Sequence, residues 1–272
     1  MAINFAEKYL TQIDERFKQA SLTGAAVNNN FDWIGVKTVN VYSIPTTAMN
    51  DYERSGDKRY GNPEELQNQL QELPISQDRS FTFTIDRGNY NETMMTLAAG
   101  QALARQIDEA VVPEIDIYRL AKFVANAGKT AVAPITKTNA YESFLDASLA
   151  LTDKKVPLEG RIAFVSPNFY KCIKLDEAFI KKGDMSQEML IKGTVGMIDN
   201  TRLILAPSTY LVPNVEFVVT HPSANPSPIK LSEYKTHDNP QGISGWLVEG
   251  RIIYDCFTLN NKKDATYVHK AA

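Results

Sequence analysis

The sequence predicts an α+β fold, and three observations carry the prediction. Phe81, Phe83 and Ile85 alternate with Ser80, Thr82 and Thr84, the period-two pattern of a strand with one apolar and one polar face. From about Asn91 to Asn126, the residues Leu97, Gly100, Ala104, Ile107, Val111, Ile115 and Tyr118 recur at steps of three or four, as on one helix face. Beyond Gly128, short apolar runs alternate with amphipathic segments, so strands and helices share the rest of the chain.

Taken in order, Ile3, Ala6, Leu10, Ile13 and Phe17 stand at helical spacing among charged residues and predict a short amphipathic helix over 3–18. Thr23-Gly24 and Asn28-Asn-Asn30 break regularity after it and leave that helix on a tether. Val39 to Ile44 alternates like a strand, and 35 mostly polar residues separate it from the run Ser80 to Ile85. The two runs are expected to pair as one long hairpin arm. Between them, Asp51 to Tyr60 intersperses acids and bases. Asn62, Pro63 and Glu65 carry the capping signature of a short helix that Pro74 ends. So long a connection is unusual in a compact domain unless it has a function. Its charges, Glu53, Arg54, Asp57, Lys58, Arg59, Glu64 and Glu65, are the candidates for contacts between subunits. Each exposed ion pair contributes only about 0.2–1 kcal/mol, but the term repeats with every copy.

The long helix would span roughly 54 Å. Pro113 lacks a donor and crowds the Glu109 carbonyl, which predicts a kink or break, and Gly128 is the expected stop. Tyr141 to Leu151 predicts a helix, Arg161 to Val165 a buried strand ended by Ser166-Pro167, and Asn168 to Ile180 an amphipathic helix. Gly193 to Pro207 reads as two short strands joined at Asp199-Asn200, and Phe217 to Thr220 as another strand. The chain closes with an expected hairpin of Gly250–Leu259 and Ala265–His269, turning at Asn260 to Asp264. A projecting polar arm followed by a long helix suits a subunit that lies on its neighbours better than an isolated globule.

Composition narrows the function classes. With 272 residues, 43% hydrophobic and 22% charged, the chain is an ordinary folded protein. A net charge of −3 argues against a dedicated nucleic-acid binder. Cys172 and Cys256 are expected to be reduced, buried small hydrophobes, since no histidine stands at ligand spacing. No signal segment or apolar run of about 20 residues is visible, so a cytoplasmic, soluble product is expected.

Searching for chemistry yields little. Gly128-Lys129-Thr130 ends like a phosphate loop, but the glycine required five residues earlier is Phe123. His221, His237 and His269 lack a second ligand within four residues and are expected in loops or at the surface. Ser244 lacks the spacing of a nucleophile elbow. Glu64-Glu65 and Asp108-Glu109 diverge on their predicted helices, so they are solvated faces before they are acid/base pairs. Lys58, Asn62 and Asn68 could supply a lysine–asparagine crosslink, though both residue types are common. No catalytic, cofactor or metal site is predicted.

The order of parts can be set beside four local pieces: Val112-Pro-Glu-Ile-Asp-Ile-Tyr-Arg-Leu-Ala121, Gly160-Arg-Ile-Ala-Phe-Val-Ser-Pro167, Gly196 to Pro207, and Glu249-Gly250 leading into Arg251 to Tyr254. Together they resemble the tailed-bacteriophage major capsid protein, the Hong Kong 97-type shell fold. That resemblance implies an N-terminal arm over 1–34 and an extended β-hairpin loop over 35–88. It implies a peripheral domain with its long spine helix over 89–138 and 241–272, and an axial domain over 139–240. The implied function is a non-enzymatic subunit of the icosahedral shell that encloses a phage double-stranded DNA genome. Such a subunit assembles in the host bacterial cytoplasm and resides in the virion. Its implied partners are its own copies in pentamers and hexamers, a portal, and packaged DNA held without sequence-specific binding, with no membrane. Only about 30 residues precede the arm, so a separate scaffolding protein is expected. Two other readings remain: an encapsulin-like nanocompartment shell around protein cargo, and a soluble α/β enzyme with a small-oligomer habit and a polar pocket.

Overall fold

The computed structural model describes residues 21–28, 38–43, 46–63, 65, 69–88, 99–176 and 196–272. The helix expected over 3–18, the start of the long helix over 91–98 and the end of the helix expected to reach Ile180 lie outside the described residues.

Among the described residues the strands form three sheets. Strands β1 (Thr38–Ser43) and β2 (Gln69–Pro74) pair antiparallel by themselves. Strands β3 (Gln77–Asp86), β9 (Ile229–Asp238) and β10 (Gly245–Tyr254) form an antiparallel sheet in the order β3-β10-β9. The third sheet is mixed. It contains β4 (Lys129–Val132), β5 (Ile162–Val165), β6 (Met197–Ile198), β7 (Thr201–Leu205), β8 (Val215–Thr220) and β11 (Thr266–Lys270), in the order β4-β11-β8-β5-β7-β6.

Two expected pairings are corrected here. The run Ser80 to Ile85 does not return to Val39–Ile44; it pairs with β10, while β1 takes β2 as its partner. Strand β2 also replaces the expected helix before Pro74. Glutamine, leucine and glutamate favour a helix, but Leu73 is 2% exposed and packs with Ile75, Leu259, Val41, Ile253 and Phe257. Burying that side chain outweighs the small local preference. The closing hairpin is likewise absent, because β10 and β11 belong to different sheets. Strand β10 buries only one face, whereas Thr266 to His269 are buried at every position and need a sheet covered on both sides.

The long helix runs through its proline. It comprises α1 (Ala99–Gln106), a wide π turn (Ile107–Val111) and α2 (Val112–Ala125). Val112 donates its N–H to the Ile107 carbonyl five residues back, and Val111 and Val112 keep helical backbone angles. The missing donor of Pro113 is thus absorbed by one wide turn, so of the expected kink or break the helix shows a local irregularity and no break. Residues Leu103, Ile107, Val111, Val112 and Ile115 cover one face of the three-stranded sheet through Tyr234, Val248, Ile252 and Tyr254. Further along, Leu120 and Phe123 cover one face of the six-stranded sheet through Ile162, Phe164, Val218 and Val268. Helices α3 (Ala140–Asp153) and α4 (Pro167–Lys174) close its other face, where Phe144 and Phe169 meet Phe217. One helix therefore spans both sheets.

Several local readings match. The β6–β7 turn places Asp199 and Asn200 at φ of 45° and 61°, as a two-residue hairpin turn requires. Ser166 both ends β5 and caps α4, accepting from the Phe169 N–H at 3.0 Å. Gly128 stands where a Cβ would lie 2.6 Å from the Lys263 carbonyl oxygen. His269 does not match: it is buried in β11 and stacks on Phe217 instead of lying at the surface, because β11 is an interior strand. His237 does lie exposed, on β9, and His221 caps a short 3₁₀ turn at Pro222–Ala224.

Candidate assembly surface

Alternation along β1 and β2 divides the two-stranded sheet into an inner and an outer face. The inner face rests on the chain's own body. Leu73 is buried there, Gln71 donates to the Thr258 carbonyl at 3.1 Å and accepts from the Asn260 N–H at 2.9 Å, and Asn261 donates to Ser43 Oγ at 3.3 Å. On the outer face Tyr42 and Leu70 sit opposite each other in register, 66% and 50% exposed. This apolar cross-strand pair faces solvent among the described residues.

Beyond this base the chain leaves the body. Every described residue from Thr46 to Tyr60 is exposed, including Met49 at 98%, Tyr60 at 85% and Tyr52 at 53%. Tyr52 and Tyr60 meet edge to face at 5.1 Å. The loop holds its own turn through Glu53 N–H to Arg59 O at 3.1 Å and Gly61 N–H to Lys58 O at 3.0 Å. Of the charged candidates, Glu53, Arg54, Asp57, Lys58, Arg59 and Glu65 are all exposed, while Glu64 lies outside the described residues. Arg59 donates to the Gly56 carbonyl at 3.2 Å, and Lys58 donates to Asn62 Oδ1 at 2.6 Å. Lys58 and Asn62 are therefore neighbours within one chain, and Asn68 lies outside the described residues. The tyrosines and the methionine are the residues that attention to charge missed. Their signal in the sequence was an apolar minority inside an otherwise polar run.

A second surface is the outer face of the three-stranded sheet. Arg251 bridges to Asp78 at 2.9 and 2.6 Å, His237 to Glu249 at 3.2 Å and Lys235 to Glu233 at 3.5 Å. The Arg251 hydrogen bond holds the Asp78 carboxyl below the ordinary aspartate value. Ser80 and Thr82 complete this polar face around a shallow hollow of about 420 Å³. Both cysteines are free. Cys256 is buried, and burial pushes its thiol up to about 12. Cys172 is only half-buried, against the expectation that both would be enclosed.

No protein-family model and no curated protein matches the sequence. The fold, in contrast, is shared with solved structures. A capsid structure of the cyanophage P-SCSP1u matches with a TM-score of 0.75 at 11% identity, covering 91% of this chain and 86% of that one. A structure from Mycobacterium phage Che8 matches with a TM-score of 0.67 at 18% identity, covering 91% and 90%. A virus-like particle from Pyrococcus furiosus matches with a TM-score of 0.61 at 12% identity, covering 98% and 100%. The chain has a mixed helix-and-sheet fold of the phage-capsid type over nearly its whole length. The likeness to phage capsid folds that the sequence resemblance implied is therefore present in the structure.

Proposed function

We propose that this chain is a major capsid protein, a structural subunit that self-assembles into the icosahedral shell around a phage double-stranded DNA genome. The observation that carries the proposal is the exposed segment 46–60, with Met49 and Tyr60 almost fully in solvent, mounted on a base that is packed firmly on the body. Apolar side chains held out on a braced support are stable partners for another copy's surface. In this reading residues 35–88 are the extended loop that overlies a neighbour, with Glu53, Arg54, Asp57, Lys58, Arg59, Glu64 and Glu65 forming the polar rim of that contact. Residues 89–138 and 241–272 are assigned to the peripheral domain with the spine helix, and residues 139–240 to the axial domain, which meets its copies in pentamers and hexamers; the sheets cut across these bounds, since β4 and β11 join the six-stranded sheet and β9 joins β3 and β10. The arm over 1–34, a separate scaffolding protein, a portal, assembly in the host cytoplasm and a non-enzymatic role belong to the same proposal.

One observation favours a second reading. The likeness to the virus-like particle extends over 98% of this chain, which suits an encapsulin-like shell with protein cargo. Negative-stain microscopy of the expressed protein, alone and beside its genomic neighbours, tests both. Closed particles that package DNA in the presence of those neighbours support the capsid, and particles filled with protein support the compartment. Replacing residues 49–61 by a short Gly-Ser linker keeps β1 and β2 and should abolish closed particles while leaving the circular dichroism spectrum unchanged. Normal shells from that variant would refute the tether.

A further inference from the structure

A buried polar network runs from the first described residues to the root of the loop. Asp116, 1% exposed on α2, accepts from Ser21 Oγ at 2.6 Å, the Leu22 N–H at 2.8 Å, the Thr23 N–H at 3.3 Å and Thr23 Oγ1 at 2.5 Å. One turn on, Arg119 is 3% exposed; its Nη1 donates to Thr23 Oγ1 at 3.2 Å and its Nε to Ser227 Oγ at 2.8 Å. Ser227 passes its own proton to the Asp255 carbonyl at 2.8 Å. The Asp255 carboxylate, 1% exposed, then accepts from the Ser76 N–H and hydroxyl, both at 2.8 Å, from Tyr118 at 2.8 Å and from the Cys256 N–H at 2.7 Å.

Ser76 lies in the two-residue link between β2 and β3, where the loop-bearing sheet joins the body. Each hydroxyl in the series accepts from Arg119 and donates onward, Thr23 to the Asp116 carboxylate and Ser227 to the main-chain carbonyl of Asp255. The guanidinium thus reaches one buried carboxylate through a hydroxyl on one side and the backbone of Asp255 through a hydroxyl on the other. Such a network is cooperative, and a half-satisfied one costs more than none.

We infer that this network is a coupling device: seating of residues 21–28 on the long helix fixes the angle at which the loop leaves the body. When Thr23 is withdrawn, Asp116 loses all three of its bonds to Leu22 and Thr23, and Arg119 is left with a donor facing no hydroxyl. Arg119 then competes for new acceptors and releases Ser227, which in turn loosens Asp255 and its grip on Ser76. The differential contacts of the two states are therefore specified at both ends, as a coupling between distant sites demands. The coupling is a property of the single chain. Only its use in setting shell contacts rests on the capsid reading.

Amide hydrogen exchange of full-length protein tests it, with wild type and variants compared in the same oligomeric state. Thr23→Val keeps the shape and removes the hydroxyl, and should speed exchange at the amides of 71–73, 75 and 76 by at least about twofold, the lower range for groups sharing one network. Thr201→Val is the matched control, since Thr201 is equally buried and its hydroxyl has no partner among the described residues. It should leave 71–76 unchanged. Faster exchange at 21–28 with 71–76 unmoved in Thr23→Val would overturn the coupling. If that variant does not fold, Ser227→Ala is read instead. Acceleration at both Leu22–Ala26 and Ser76 upholds the device, and acceleration at one end alone overturns it. Particle formation is scored separately by microscopy, so failed shells with intact coupling count against the capsid reading only.

Discussion

Replacing Met49 and Tyr60 together by serine perturbs assembly while removing from the subunit itself only the exposed edge-to-face contact of Tyr60 with Tyr52. Met49 is 98% and Tyr60 85% exposed, so neither contributes a buried contact to the isolated chain. Fully burying one such side chain contributes about 1.5–3 kcal/mol, hence about 3–6 kcal/mol for the two on docking. Ordering the two side chains costs about 1–3 kcal/mol, which leaves about 2–3 kcal/mol per subunit when like ends of the ranges are combined. At 1.4 kcal/mol per decade, the subunit concentration needed for shells should rise about 30- to 140-fold. Light scattering against subunit concentration measures the threshold, with microscopy to identify the particles. The melting of unassembled subunits should change by no more than about 0.5 kcal/mol in stability, as for other surface substitutions. An unchanged threshold with normal shells would refute the reasoning, because these two side chains would then meet nothing on assembly.

Arg161, 1% exposed, donates to Pro157 O, Ser148 O and Oγ, Thr152 Oγ1 and Val156 O at 2.7–3.2 Å. Arg161→Met strands those acceptors at the end of α3 and should cost about 3 kcal/mol, or about 6–12 °C by calorimetry of unassembled subunits; a shift under about 2 °C would contradict that role. With its thiol at about 12, Cys256 should resist maleimide at pH 8, while half-buried Cys172 reacts. Mass spectrometry locates the label, and modification of Cys256 first would sink the assignment. Asp78, held below its ordinary value by Arg251, favours the folded sheet above the usual aspartate range, and that contribution is lost as pH falls through the depressed value. In Arg251→Gln the Asp78 carboxyl should titrate at higher pH by nuclear magnetic resonance, and an unmoved midpoint would refute the pairing.

What the sequence discloses and what it conceals divide along the distance between partners. The strand at Ile162–Val165, the turn at Asp199-Asn200 and the helix around Phe144 were legible, because each rests on residues close in the chain. Pairings were not. Strand β3 finds its neighbour more than 150 residues away in β10, and no local pattern distinguishes that strand from β1. Strand β9 escaped notice because its exposed face carries Glu233, Lys235 and His237, which read as loop. The exposed loop was found by its length and charge, yet its apolar side chains were overlooked. Asp116 and Arg119 were overlooked as well, although two charges between Ile115 and Leu120 on a buried helix face were a visible anomaly.

The position of β11 bears on how the molecule is made. That strand lies between β4 and β8, joining a segment near residue 130 to the remainder of the six-stranded sheet. While the ribosome still holds residues 266–270, the sheet has a gap at that slot and β4 has no neighbour to bond. The six-stranded sheet therefore cannot close before synthesis has passed that strand.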